Sequence, residues 1–281
     1  MTLDASADAD AVRAVEVAWD RLCQPLSPED RSRFEKLLAD WEPVRAQDPI
    51  VIDVDLLSPL GRELKETSHT QALAWLLDPR ATHGLGDVAL LNFLDYVEAL
   101  LPDDEDRRQF AAATESVSDA GVLVERAAIG AGARADEEEL SVSRTDLWLE
   151  LPAVQPRALV VVEAKIDTAA SVGQLARYDE LIADRLRSLN GDPVVVKVYL
   201  TPWGAAPPTD SGGRDWRCGD MFTMAAYLRA GLDDQRGPGG EYLRLYLATV
   251  LQKVLDLRWS DRKARTWERL LFAYLSLSRG G

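Results

Sequence analysis

The chain has 281 residues, of which 47% are hydrophobic, so it can bury a full core in one elaborated domain or two small ones. Its formal net charge of -15 argues against nucleic-acid binding through bulk charge, while a local basic patch remains compatible with it. The start of the chain lacks the pattern of a signal peptide, and no apolar run reaches membrane-spanning length. Cys23 and Cys218 have no metal-binding spacing and favour a reducing compartment. We therefore expect a cytoplasmic protein without a membrane segment.

The first third of the chain has the pattern of helices. Apolar residues recur at helical spacing between residues 8 and 48. A second helical region is predicted from about Leu57, with Ser68 or Thr70 as the N-cap of its main helix. The apolar segment that ends before Pro102 is predicted to be a third helix.

The middle of the chain has the pattern of β-strands. The segment 102–120 is acidic and indicates a solvated connection or a frayed helix. Residues 171–189 form an amphipathic helical pattern, residues 204–220 are loop-like, and residues 241–277 are mostly helical. Four apolar runs are predicted to be strands: 121–129, 145–151, 158–166 and 193–202. This order of elements predicts an α/β sandwich with a hairpin inside the sheet.

The most strand-like run ends in two opposite charges, Glu163 and Lys165. Side chains two residues apart on a strand point to the same face, so these two are neighbours. If the strand pairs with the preceding one through the turn at Pro152 and Pro156, Asp146 lies near the same strand end. Carboxylates suit hard cations such as Mg²⁺, and an adjacent lysine can orient water or stabilise a phosphate. By itself, the pattern is weak evidence for a site, and a plain ion pair at the sheet edge is the favoured interpretation.

Residues around this pair resemble the PD-(D/E)XK nuclease superfamily. Asp146 is followed by Glu163-Ala164-Lys165 on the next strand, and by Gln174 and Tyr178 on one face of the following helix. The proline that names the superfamily is absent, because Asp146 follows Arg144-Thr145.

The N-terminal half extends this resemblance to a branch of uncharacterised bacterial members. KETSHTQALAWLLDPRATHGLG, residues 65–86, is similar to the opening signature of that branch. YLTPWG, residues 199–204, fits the end of its next core strand. The resemblance spans roughly residues 55–255.

The resemblance implies a fold and a division of the chain. The fold is a restriction-endonuclease-like αβα sandwich with a mixed central sheet and added N- and C-terminal helices. Residues 1–55 would form an N-terminal helical extension, residues 56–255 the nuclease-like core, and residues 256–281 a C-terminal helix packed on it.

The resemblance also implies a Mg²⁺-dependent nuclease, with Mn²⁺ able to substitute. Asp146 and Glu163 are expected to act in catalysis as metal ligands, and an acid on the first core helix would complete the metal shell. Glu63 and Glu66 lie one helical turn apart and both qualify, but the register of the motif favours Glu66.

The remaining site residues have expected roles in catalysis or support. Lys165 would position the attacking water or stabilise the developing charge, and Gln174 would orient water or substrate. Tyr178 would contact the nucleic-acid backbone or support Gln174. His69 and His83 are supporting candidates, and for each the alternative is a structural hydrogen bond.

Basic residues near the C-terminus are candidates for substrate binding. Arg262, Lys263 and Arg265 lie among tryptophans and could hold a phosphate backbone, or they belong to a solvated or partner-facing helix. The acidic run 136–139 is either a solvated loop or a flap over substrate.

The expected partner is nucleic acid, and DNA is expected rather than RNA. The resemblance also implies a role in defence against phages or mobile elements. A homodimer or a defence-system partner is also considered. The rival hypothesis is a non-catalytic module of the same fold that binds nucleic acid or protein, which the charge of -15 favours.

Overall fold

A computed structural model of the protein describes residues 24–115, 117, 120–127, 144–152, 155–189, 191–232, 237–261 and 265–277. The α-helices in this part of the chain are α1 (Pro28–Trp41), α2 (Glu66–Leu77), α3 (Val88–Ala99), α4 (Asp104–Ala113), α5 (Gln174–Arg187), α6 (Met221–Ala230), α7 (Pro238–Thr249) and α8 (Arg265–Leu277). The strands are β1 (Gly121–Ala127), β2 (Arg144–Leu151), β3 (Ala158–Ala164), β4 (Val194–Thr201) and β5 (Trp216–Asp220). In these ranges no helix combines the length and the apolar character needed to cross a membrane.

The five strands form one mixed sheet in the order β1-β2-β3-β4-β5. β1, β2 and β3 pair antiparallel, whereas β3, β4 and β5 pair parallel. The predicted hairpin between β2 and β3 is confirmed, and its register places Leu147 opposite Val162. The parallel crossover from β3 to β4 runs through α5, as expected for a strand–helix–strand unit.

Helices cover both faces of this sheet, which confirms the predicted αβα sandwich. Alternate residues of β3, such as Val160 and Val162, join the large core that contains residues of all the helices except α5. The others, Leu159 and Val161, join a smaller core with Leu175 of α5. Every residue of β3 is buried, in agreement with its unbroken apolar sequence.

Helix α5 determines which residues stand at the carboxyl end of β3. Gly173 is its N-cap and has a left-handed φ of 66°, a conformation that glycine adopts without steric cost. The helix buries Leu175, Tyr178 and Ile182 against the sheet. Gln174 is therefore held at the first helical position, beside the end of β3.

The start of α2 differs from the prediction. The helix begins at Glu66, with Lys65 at the N-cap, so Ser68 and Thr70 are not caps. Both are buried inside the helix, where the Thr70 hydroxyl donates to the Glu66 carbonyl at 3.3 Å. The helix therefore starts without a side-chain cap.

Other helix predictions are confirmed with different bounds. Near Leu57 there is only a 3₁₀ turn, Ser58–Leu60, before α2. The segment predicted helical from residue 8 contains α1 and the 3₁₀ turn Arg45–Gln47, and its residues before 24 lie outside the described ranges.

The acidic segment 102–120 and the C-terminal tail both contain helices in the structure. The acidic segment 102–120 contains α4, whose first turn is capped by the Asp103 carboxylate accepting from the Asp106 N–H at 2.8 Å. The helical tail consists of α7, a π-helical stretch at Val250–Val254 and α8, which packs on α6.

Strand β5 was not expected, and the prediction of a loop over residues 204–220 is wrong for Trp216–Asp220. The segment is short and has no alternating apolar pattern, so its sequence carries little strand signal. It becomes a strand by pairing with β4, and a Cβ at Gly219 would collide with the Tyr96 hydroxyl of α3. Tertiary packing therefore decides this element.

A buried ion pair ties the N-terminal region to the C-terminal helices. Asp48 accepts from Arg229 Nε of α6 at 2.6 Å and from the Tyr274 hydroxyl of α8 at 3.0 Å. Trp41 Nε1 and the Ile50 N–H also donate to Asp48, so each of its two carboxylate oxygens has two donors. The cluster joins α1, α6 and α8 in one core.

Candidate active site

Asp146 of β2 and Glu163 of β3 meet at one end of the hairpin. The pairing of Leu147 with Val162 puts these two acids side by side at the next position. Asp146 Oδ2 accepts from the Ala164 N–H at 2.9 Å, and the two carboxyl groups are close enough for each to affect the pKa of the other. The predicted convergence of these two acids is confirmed.

Lys165 extends back to the same acids. Its Nζ lies 2.8 Å from Glu163 Oε1 and 3.5 Å from Glu66 Oε2. Glu163 is only 1% exposed, so this ion pair is shielded from solvent and differs from a surface salt bridge. The ammonium group therefore stands between an acid of the sheet and an acid of α2.

Glu66 is the acid of α2 that reaches the strand end. Its Oε1 accepts from the Ile166 N–H and from the Thr168 hydroxyl, each at 3.0 Å. The neighbouring Glu63 instead uses its backbone carbonyl, which accepts from His69 Nε2. The start of α2 at Glu66 places that side chain over the loop after β3.

Gln174 connects the sheet acids to α5. Its Nε2 donates to Glu163 Oε1 at 2.6 Å and to the Tyr178 hydroxyl at 2.7 Å. Its Oε1 accepts from the Ser171 N–H at 2.9 Å, so the amide is held from both ends. This geometry brings together Gln174 and Tyr178, the two α5 residues that were predicted for the site.

Burial and like charge shape the electrostatics of the two sheet acids. Burial, followed by the neighbouring Asp146 carboxylate, raises the pKa of Glu163 to about 8, although Lys165 opposes the change. Burial also raises the pKa of Asp146 above its ordinary value. Burial alone would lower the pKa of Lys165, but Glu163, Glu66 and Asp146 outweigh it and raise that pKa, so the lysine is charged at neutral pH.

The donor set of this cluster suits a hard divalent cation. Glu163 Oε2 is buried and no hydrogen-bond donor in the described structure faces it. Lys165 supplies one positive charge for the two adjacent buried carboxyl groups, so a proton or a metal cation can balance the second, and Mg²⁺ prefers oxygen ligands. Across the described ranges, however, no three His, Cys, Asp or Glu side chains are grouped so that together they could hold a metal ion. Asp146 and Glu163 thus offer two adjacent carboxylates that fit such a metal, and Lys165 contacts both Glu163 and Glu66.

Both histidines bind backbone groups. His69 Nε2 donates to the Glu63 carbonyl at 2.7 Å, and burial lowers the pKa of His69, which keeps the ring neutral. His83 Nε2 donates to the Asp78 carbonyl at 2.9 Å, and its Nδ1 accepts from the Leu85 N–H. These bonds order the start of α2 and the loop after it. A supporting role of either histidine at the site stays a prediction.

Several predicted residues fall outside what the structure describes. Arg262, Lys263 and the acidic run 136–139 lie outside the described ranges. Arg265 begins α8, and only its backbone is described. Substrate binding by these residues stays a prediction.

Two residues at the site were not singled out from the sequence. Tyr199 of β4 stands opposite Glu163 in the parallel register, and its hydroxyl accepts from the Ala170 N–H at 3.2 Å. Thr168 holds Glu66 from the loop after β3. The position of Tyr199 in the YLTPWG segment was a usable signal, whereas Thr168 has none because it lies in an irregular loop.

Comparison with known proteins gives one finding at the level of the family. Searches of curated proteins and of solved structures found no significant match. A family model described as the PD-(D/E)XK nuclease superfamily matches residues 54–272, most of the chain. The match covers α2, the whole sheet, α5 and all the acids of the site, and it agrees with the restriction-endonuclease-like fold that was expected. The chain therefore belongs to the PD-(D/E)XK nuclease superfamily.

Proposed function

We propose that the protein is a divalent-metal-dependent nuclease that hydrolyses phosphodiester bonds in DNA, with Mg²⁺ as the metal and Mn²⁺ as a substitute. Family membership indicates nuclease activity. One observation supports the proposal most directly. The buried Glu163 carboxyl adjoins Asp146, has one oxygen without a donor, and is paired with Lys165 at 2.8 Å. A purely structural ion pair would not need the second acid.

In this proposal Asp146 and Glu163 hold the metal and Glu66 completes its shell. When bound, the cation lowers the pKa of a coordinated water and neutralises charge on the phosphate. Asp146 is aligned for this by the Ala164 N–H, and Glu66 by Ile166 and Thr168. These bonds hold the carboxylates in place before any ligand binds.

Lys165 acts on the substrate side. It is charged at neutral pH and shielded from solvent, so its field on a nearby phosphate oxygen is weakly screened. It can therefore orient the attacking water or stabilise negative charge that develops on the phosphate. Gln174 positions Glu163 through the 2.6 Å bond, and Tyr178 positions Gln174.

The test is cleavage of labelled plasmid, linear duplex, single-stranded DNA and RNA with Mg²⁺ or Mn²⁺. We expect cleavage by the wild type and a loss of roughly 100-fold or more in Lys165→Ala, the scale for removing one charge-stabilising donor. Lys197→Ala is the matched control, because Lys197 of β4 forms a comparable, mostly buried ion pair at 2.9 Å with Asp179 of α5. Wild-type cleavage by Lys165→Ala, or no cleavage by folded wild type on any substrate, would contradict the proposal.

A second candidate is a non-catalytic module of the same fold. The observation in its favour is that Lys165 already neutralises Glu163, while the described residues form no closed metal-binding group. The melting temperature with and without Mg²⁺ or Mn²⁺ separates the two, because a ligand of the native state raises it. No rise at millimolar metal would favour the non-catalytic module.

The cellular setting also belongs to the proposal. The resemblance suggests defence against phages or mobile elements in the cytoplasm, with a second copy or a defence subunit as a candidate partner. Loss of phage protection in cells that carry the Lys165→Ala variant is the test of that setting.

A further inference from the structure

Trp203 is an exposed aromatic residue in the turn that follows β4. It is 52% exposed, whereas the other tryptophans in the ranges that the structure describes are buried or partly buried. Its ring lies nearly parallel to that of Phe222, with centroids 6.0 Å apart and planes 25° apart. Phe222 is itself buried in the large core. One side of the indole is thus supported by the core while half of the side chain faces solvent.

The turn that carries Trp203 is held in place. The Thr201 hydroxyl accepts from the Ala205 N–H at 2.7 Å, and Thr201 is buried at the end of β4. Gly204 has a left-handed φ of 75° that completes the turn. The indole is therefore presented in one orientation, which lowers the entropy that a stacked ligand would cost.

The same turn borders the carboxylate cluster. The Lys165 N–H donates to the Leu200 carbonyl at 2.9 Å, and Trp203 follows three residues later, a reach of at most about 10 Å. Further along this loop, the Asp210 carbonyl accepts from the Gly173 N–H at 2.9 Å, directly before Gln174. A strand of nucleic acid that enters the cluster therefore passes close to the loop of Trp203.

A nucleobase is the ligand that suits an exposed, preorganised indole in a nuclease. Base–aromatic stacking gives affinity that depends little on charge, which suits a chain with a net charge of -15. Bases inside a duplex are covered on both faces by their neighbours, so only an unpaired or terminal base can stack on the ring.

We propose that Trp203 stacks on an unpaired base next to the scissile phosphate, and that the preferred substrate is therefore single-stranded nucleic acid or a strand end. This inference rests on the proposed nuclease function. It adds a substrate class and a residue that selects it.

The test measures binding in the Lys165→Met background with Mg²⁺, so that the bound oligonucleotide is not cut. Single-stranded and fully paired oligonucleotides of one sequence are compared, and an abasic nucleotide is scanned along the single strand. Adding Trp203→Ala should weaken single-strand binding roughly tenfold, within the range for one stacked base, and change duplex binding much less. The abasic nucleotide should weaken binding at one position only, and Trp203→Ala should abolish that effect. Leu91→Ala, at another exposed apolar residue, is the control and should change neither affinity.

Each result separates the inference from the proposed function. If wild type cleaves nucleic acid but Trp203→Ala binds single strands as before, or if the abasic effect survives, the inference is wrong and the nuclease stands. If no nucleic acid is bound or cleaved, both fail. Should Trp203→Ala melt at a lower temperature, Trp203→Phe decides, because it keeps an aromatic ring. A folded Trp203→Phe protein must retain most of the affinity and the abasic effect.

Discussion

Two buried clusters of acid and base differ in how completely they are satisfied. At Asp48, each carboxylate oxygen has two donors, from Arg229, Tyr274, Trp41 and the Ile50 N–H. At Glu163, Oε1 accepts from Lys165 and Gln174, while Oε2 has no donor in the described structure.

The difference separates a structural ion pair from a candidate site. A satisfied buried pair is costly to break and has nothing left to bind. An unsatisfied carboxyl beside a second acid is destabilised in its charged form, and it gains when a cation or proton arrives. The Asp48 cluster joins helices, whereas the Glu163 cluster keeps one buried oxygen without a donor, where a cation or a proton could bind.

The largest expected effect is on stability at Asp48. Asp48→Asn removes the charge that faces buried Arg229, and the free energy of unfolding should fall by about 3–5 kcal/mol. Urea denaturation measures this loss, and cleavage per folded molecule should be unchanged. A loss below about 1 kcal/mol would show that the pair contributes little to stability.

The matched change at the candidate site, at Glu163, should reduce cleavage and leave stability intact. Glu163→Gln removes a charge that burial and Asp146 disfavour. At pH 8 the metal-free variant should therefore have a melting temperature at least as high as that of wild type. Cleavage should fall roughly 100-fold or more, because a metal ligand is lost. Circular dichroism melts and the cleavage assay measure the two effects. A large loss of stability would make Glu163 structural, like Asp48.

The stabilisation of the folded protein by Mg²⁺ should depend on pH. The pKa of Glu163 is raised to about 8 from an ordinary 4.5, so this group favours the folded metal-free protein below pH 4.5 and loses that contribution as the pH rises through 8. A cation needs the deprotonated carboxylate, so the Mg²⁺-induced rise in melting temperature should be larger at pH 9 than at pH 6. In Glu163→Gln, the Mg²⁺-induced change in melting temperature should be the same at both pH values. An equal rise at both pH values in wild type would place the metal elsewhere.

The smallest effect is expected at Tyr178. Tyr178→Phe removes the hydroxyl that accepts from Gln174 Nε2 and leaves the buried ring in place. One such hydrogen bond is worth about 0.5–1.5 kcal/mol, so the cleavage rate should fall only about 2- to 10-fold. Steady-state kinetics should show the loss in kcat rather than KM. An effect as large as that of Glu163→Gln would mean that Tyr178 touches the substrate itself.

Local patterns determined much of the fold and the site. The apolar run of β3, the alternation of β2 and the turn between them were enough to predict the hairpin, and with it the meeting of Asp146 and Glu163. The spacing of Gln174 and Tyr178 on one helical face likewise predicted their contact. These features follow from the periods of strand and helix, which are properties of the backbone itself.

Only the tertiary structure decided the rest. The motif register favoured Glu66, but its hydrogen bond to the Ile166 N–H depends on where α2 starts, and β5 forms by pairing with the edge of β4. The donors that complete Asp48 come from residues up to 226 positions apart. The hydrogen bond that closes the turn at Trp203 is likewise visible only in the fold. Such contacts join segments that are far apart in the chain, and no local period records which of them will meet.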